Sequence, residues 1–284
     1  MAIAAFLFSV MAVLARKASE HASFMLVTFA RAAVGALVAL FVGLARRAPL
    51  RVHNPRLAWL RSILGTLAMT STFFALSRAD LPLSDGTTVF NLAPILVAVF
   101  APRLLGERPS PRTIGALAIG FLGVLMVAQP ALLFPHQGPR PATVSWAAAL
   151  FAALTTALAM LALRRAGQRE APEAIALHFS VTATVVTFVL ALRDFRVPDA
   201  KSVLYMLMAG LFAGLGQLAL TRAYALGEAP RVAAVGYLQI AFAAVFGIWI
   251  WGEHPTALSI AGMMLVTMGG VVSAWSRRPA ELRR

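Results

Sequence analysis

The chain has 284 residues, of which 60% are hydrophobic and 13% charged, with a mean hydropathy of +0.80. This leaves too little polar surface for a soluble domain and describes an integral membrane protein. The formal net charge of +14 does not mark a nucleic-acid binder, because the arginines fall in small groups between apolar runs; with no cysteine, disulfides, thiolate metal sites and cysteine nucleophiles are excluded.

A bilayer core takes about 20 apolar helical residues. Ten such segments follow one another, at 1–15, 23–44, 57–77, 86–105, 112–131, 143–163, 172–192, 202–226, 232–251 and 257–275. Open sheets cannot cross lipid and the alternation of an outer-membrane barrel is missing, so the fold class is all-α. The first segment lacks the charged leading region of a signal peptide and reads as a transmembrane helix. The second carries Arg31, where an ionised side chain is costly unless it faces protein or water. The fourth carries Thr87, Thr88, Phe90, Asn91 and Pro94; a proline in mid-span frees a carbonyl, tolerated where protein or a cavity satisfies it. After the fifth, a Pro/Gly-rich stretch at 135–142 reads as a linker. His178 lies on the seventh, and on the eighth Gly210, Gly214, Gln217, Thr221 and Tyr224 share one face by their spacing. Residues 277–284 form a basic tail.

Alternate connections hold seventeen and seven Lys and Arg residues, which places both termini in the cytoplasm. The chain also repeats itself. AVFAPRLLGERP at 98–109 aligns without a gap on AVFGIWIWGEHP at 244–255, an offset of 146. Two five-helix halves, 1–134 and 143–276, account for this. Five is odd, so the second half enters the membrane from the opposite side, with Glu107 facing the cytoplasm and Glu253 the exterior. Inverted repeats of this kind are a transporter architecture, with the substrate site near midplane.

The segments FARAAVGALVAL, FFALSRADLPLSDGTTVFNLAPILVAVFAPRLLGERPSPRTIGALAIGFLGVLMV and RAYALGEAPRVAAVGYLQIAFAAVFGIWIWGEHP resemble the EamA-type drug/metabolite transporters, over essentially the whole chain. YddG-like amino-acid and metabolite exporters are the nearest comparison. The resemblance implies ten helices in two inverted halves, with a cavity lined by helices 1, 3, 4, 6, 8 and 9. Asn91, one turn before Pro94, is placed to offer an amide to substrate. Its counterpart at the repeat offset is Tyr237, which symmetry favours over Gln239, since the two point about 200° apart on a helix. The candidate lining is Ser9, Ser71, Phe74, Phe90, Asn91, Trp146, Thr155 with Thr156, Gln217, Thr221, Tyr224 and Tyr237. Such a cavity is aromatic and weakly polar, with little fixed charge, and suits small amphipathic solutes.

Arg31, Pro94, Glu107, His178 and Glu253 are assigned gating or structural roles. Arg31 reads either as a counter-charge for a carboxylate or as a buried structural arginine, and its place on helix 2, outside the implied lining, favours structure. His178 reads as an interhelical hydrogen-bonder. The five histidines show no metal-ligand spacing and no phosphate-binding loop occurs, so no catalytic residue, cofactor or metal is expected. The expected function is secondary transport, most directly export of aromatic or hydrophobic amino acids across the bacterial inner membrane by alternating access. A purine, a drug-like cation or S-adenosylmethionine are alternatives, and a membrane-embedded enzyme a remoter one. The expected partners are a small-molecule substrate and the lipid bilayer, with the chain a monomer or a homodimer. Asp85, Glu228 and His178 are the candidate proton sites if transport is coupled.

Overall fold

A computed structural model describes residues 1–76, 80–81, 83–131, 133, 142–194, 197–252 and 254–275. Its regular elements are helical throughout: α1 (Ala2–Ala18), α2 (Phe24–Ala45), α3 (Pro55–Leu76), α4 (Leu83–Phe90), α5 (Ala93–Leu104), α6 (Pro111–Ala128), α7 (Thr143–Gly167), α8 (Pro172–Ala191), α9 (Ala200–Leu226), α10 (Ala229–Gly236), α11 (Leu238–Trp251) and α12 (Ala257–Trp275), with one 3-10 turn at Leu192–Asp194. Eight stretches are long and apolar enough to cross a bilayer: α2, α6, α7, α8, α9, α12, and the two composite segments Asp85–Leu104 and Ala229–Trp251. The other two expected spans are α1, which has 17 residues, and α3, whose apolar run is diluted by Arg56, Arg61 and several hydroxyl residues. Most of the linker, the basic tail and Glu253 lie outside the described residues.

Local chemistry sets the helix starts. The Ser23, Ser110 and Asp199 side chains accept hydrogen bonds from the Leu26, Thr113 and Ser202 N–H groups at the first turns of α2, α6 and α9, satisfying donors that have no partner inside the helix. Pro111 and Pro172 open α6 and α8, where a missing N–H costs nothing. The first Gly-Glu-x-Pro motif joins α5 to α6, and the second begins just after α11. Gly106 and Gly252 both adopt positive φ, +72° and +64°, with open space where a Cβ would project. Backbone conformation rather than crowding therefore requires glycine at both.

The fourth and ninth spans, expected to be continuous, are each broken. The first break falls at Asn91 and Leu92, between α4 and α5. There Leu92 N–H bonds to Val89 O in a tightened turn, and Pro94 has no N–H to offer the preceding turn. The second break falls at Tyr237, between α10 and α11, where Ile240 N–H reaches Tyr237 O at 2.9 Å in a similar three-residue turn. No proline causes this one. The breaks stand 146 residues apart, the offset of the repeat.

Packing between helices comes in exchanged pairs. α3 runs along α7 as α1 runs along α9; α2 meets α9 as α8 meets α3; α5 meets α7 as α11 meets α1. Two contacts map onto themselves, α2 against α8 and α6 against α12. The α6–α12 crossing is reciprocal down to single residues. A Cβ on Gly123 would lie 2.6 Å from Gly262 O, and one on Gly269 would lie 2.7 Å from Ala116 O. Gly123 and Gly269 are sequence mates, as are Ala116 and Gly262, so small residues bring these backbones together twice in the same way. Large apolar side chains such as Phe41, Trp249 and Trp275 are left on the outer surface, where lipid is a suitable solvent for them.

Candidate functional site

The two broken spans meet at the centre of the bundle. Tyr237, 1% exposed, donates its phenolic hydrogen to the main-chain oxygen of Asn91 at 3.0 Å. A main-chain carbonyl released by the break is thus satisfied by the side chain at the opposite break. Asn91 Nδ2 donates back to Thr87 O at 2.8 Å. Beside this junction lies a cavity of about 400 Å³ walled by α1, α2, α3, α5, α7, α8 and α9, by the end of α4, by α10 and by the start of α11. Phe8, Met11, Phe90, Val97, Met160, Phe179 and Leu220 give it apolar walls, and Asn91, Gln217, Tyr224, Tyr237 and Gln239 give it polar points. A few convergent polar groups in an otherwise apolar hollow are the usual make-up of a small-molecule site.

Of the residues expected to line it, Phe90, Asn91, Gln217, Tyr224 and Tyr237 do so, with Thr156. Gln239 lines it as well, because the turn at Tyr237 changes the rotation between the two positions. The others lie elsewhere. Ser9 is fully buried, its hydroxyl within reach of the Ala5 and Gln239 carbonyls at 2.9 and 3.0 Å. Ser71 and Phe74 border a separate groove with Thr70 and Phe151. Trp146 packs beside Ala75, Leu81 and Val89, and the Thr155 hydroxyl donates to Phe151 O at 2.7 Å. Thr221 donates to Gln217 O at 2.7 Å, which spends its hydroxyl on its own helix.

The expectation of little fixed charge needs correcting. Arg31 and Arg61 both line the cavity, although Arg31 belongs to a helix expected to lie outside the lining and Arg61 reads in the sequence as a loop cation. The clue to Arg61 is Gly65, one turn further along α3. A Cβ there would overlap Arg61 Nη1 and come within 2.8 Å of the Phe179 ring. Only glycine leaves room for the guanidinium to fold back along its own helix. Pro94 lines the cavity too. His178 stands apart from it, at 2.8 Å from Ser62 Oγ and edge-on to Trp59.

Glu107 performs a different task. Its carboxylate accepts from Arg164 Nε and from the Ala229 N–H, each at 2.6 Å. Arg164 Nη1 in turn donates to the Tyr224 and Ala225 carbonyls at 3.1 and 2.8 Å. The first glycine-glutamate hairpin is thereby latched to the ends of α7 and α9 and to the start of α10, where a carboxylate also meets the positive end of a helix. Because Tyr224 lines the cavity, the latch and the cavity share a residue. No group of histidine and acidic side chains that could hold a metal occurs among the described residues.

Known proteins share this architecture. A solved crystal structure superposes with a TM-score of 0.83, covering 96% of each chain at 20% identity, a likeness of fold. The chain is 30% identical to the pseudopaline exporter CntI of Pseudomonas aeruginosa, over 97% of its own length and 95% of that protein's. It is 28% identical to a riboflavin transporter of Rhizobium johnstonii, over 77% and 70% of the two chains. The model of the EamA-like transporter family matches residues 1–129 and again 144–275, one match on each side of the linker. This helical membrane chain thus belongs to the EamA-like transporter family, a family of transporters rather than enzymes.

Proposed function

We propose that this protein exports small amphipathic metabolites, amino acids or their derivatives, across the bacterial inner membrane by alternating access. In this reading two inverted halves, 1–134 and 143–276, rock about the central cavity, with both termini in the cytoplasm. One observation carries it: the breaks at Asn91 and Tyr237 are 146 residues apart, touch each other, and border the cavity. Discontinuous helices meeting at mid-membrane are how transporters of several folds bring main-chain polar groups to a solute. The exchanged packing pairs support two nearly equivalent arrangements, which alternating access requires. The aromatic and amide lining suits an amphipathic solute, and among the relatives one is named as an exporter.

Counterflow into proteoliposomes tests the proposal. Purified protein, preloaded in turn with amino acids, a purine and riboflavin, is expected to exchange at least one amino-acid-like solute, and Asn91→Ala or Tyr237→Ala is expected to slow that exchange while the protein stays monodisperse. No exchange of any solute would overturn the transport reading. Wild-type rates in both variants would remove the cavity from it.

A further inference from the structure

The two cavity arginines differ from the other part-buried arginines among the described residues. Arg164 pairs with Glu107, Arg222 with Glu173, and Arg231 donates to the Ser273 and Ala274 carbonyls. Arg61 is 1% exposed, yet its Nε and Nη1 have no hydrogen-bond partner among the described residues. Its guanidinium carbon stands over the Phe179 ring, 4.3 Å from the centroid. Arg31 reaches two thioethers, Met11 Sδ at 3.9 Å and Met69 Sδ at 3.7 Å, and thioether sulfur is a weak acceptor. Among the described residues no carboxylate lines the cavity and none pairs with either arginine. Buried cations are ordinarily paired, and an unpaired one inside a membrane protein points to a ligand.

The helix breaks border the same space. The first turn of α5, with Ala93, Pro94 and Val97, opens on the cavity, as do Tyr237 and Gln239 at the start of α11. A helix start carries partial positive charge. The ends of α4 and α10, at Phe90 and Gly236, border it too and offset that charge, so the two guanidinium groups are what make the space positive, with no resident anion among the described residues.

Resting on the transport reading, we infer that the solute is an anion with two carboxylates, an acidic amino-acid derivative or a dicarboxylate, whose acidic groups are held by Arg31 and Arg61. Guanidinium binds planar oxyanions through paired N–H donors. A zwitterion with one carboxylate and one ammonium leaves the cavity strongly positive, whereas a solute with two carboxylates supplies both missing partners. The same field repels cations, which excludes drug-like cations and S-adenosylmethionine by charge. The apolar walls fit a carbon skeleton better than a phosphate cluster. Export also acquires a driving force, because an inside-negative membrane expels a net anion without a proton-binding group in the cavity.

The test uses the full chain in proteoliposomes with labelled glutamate, succinate, leucine and phenyl phosphate, comparing wild type with Arg31→Gln, Arg61→Gln, Arg61→Lys and Gly65→Ala. Glutamate and succinate are expected to be preferred to leucine. Either glutamine variant is expected to weaken their apparent affinity about tenfold or more, the loss of one charged contact, with Arg61→Lys recovering part of it. Gly65→Ala keeps the charge but displaces the guanidinium, so it is expected to weaken the dicarboxylates as well, and it carries the test together with Arg31→Gln if Arg61→Gln is not monodisperse. An inside-negative potential is expected to speed glutamate efflux and leave leucine unchanged. Preference for leucine with arginine variants at wild-type rates, or transport of phenyl phosphate without the dicarboxylates, would overturn the dicarboxylate assignment and leave transport standing. Movement of none of the four, nor of any solute in the wider panel, would overturn transport itself.

Discussion

At the scale of single residues, one side-chain hydrogen bond, from the Tyr237 hydroxyl to Asn91 O, joins the two breaks. Tyr237→Phe removes the donor to Asn91 O and leaves a carbonyl unsatisfied, so a loss of about 1–3 kcal/mol is expected. Intrinsic tryptophan fluorescence during heating in detergent measures it as a fall in Tm; an unchanged Tm would mean that water satisfies the carbonyl equally well. Asn91, Gln217, Tyr224 and Tyr237 were legible in the sequence because the repeat offset and helical spacing place them without knowledge of the neighbours. Ser71, Phe74, Trp146 and Thr155 were not placed correctly, because helix periodicity identifies a face but not whether lipid, protein or a cavity lies against it. Arg61 was hidden for another reason. It lies near the start of its span, where the charge-counting rule assigns arginines to the membrane surface, and its inward direction depends on the space above Gly65.

At the scale of elements, the ends of helices are more strongly tied than their middles. Glu107 fastens one hairpin to three helix ends. Glu107→Gln keeps one acceptor oxygen but loses the charge, and a lower Tm together with faster trypsin cleavage near Arg108 is the expected result. Gly106→Ala or Gly252→Ala forces an alanine into the left-handed region and is expected to cost about 1 kcal/mol each, read from the same melts. A second carboxylate, Glu170, holds the start of α3 by accepting from the His53 and Asn54 N–H groups at 2.7 to 3.0 Å, while Asn54 Oδ1 caps the Leu57 N–H. Burial raises the Glu170 pKa, but these hydrogen bonds outweigh it and hold the group below its ordinary value of 4.5. A carboxylate depressed in the folded state contributes stability that is present above its unfolded pKa and lost as pH falls through the folded value. The wild-type Tm is therefore expected to fall as pH drops below about 4.5, with a flatter profile for Glu170→Gln; parallel profiles would remove Glu170 from the account. The helices themselves were readable from apolar length. The breaks were readable only in part: Pro94 marks the first, whereas no proline marks the turn at Tyr237, whose hydroxyl bonds the carbonyl of the partner break.

At the scale of the whole molecule, reciprocity ties the parts together. The paired hairpins, the paired breaks and the exchanged packing of α1 with α9 and α3 with α7 all follow if each half is the inverted image of the other. On the proposed alternating-access reading, inversion would make the two access states similar in energy, so that neither strongly outcompetes the other. The native chain has no cysteine, which makes sidedness directly measurable. Arg108→Cys and His254→Cys place one thiol in each Gly-Glu-x-Pro motif at the same repeat position. Labelling of intact cells and of inverted membrane vesicles with a membrane-impermeant maleimide is expected to modify Cys at 254 from outside and Cys at 108 from the cytoplasmic side. Modification of both from the same side would contradict the inverted arrangement, and with it the alternating-access account built on the facing breaks.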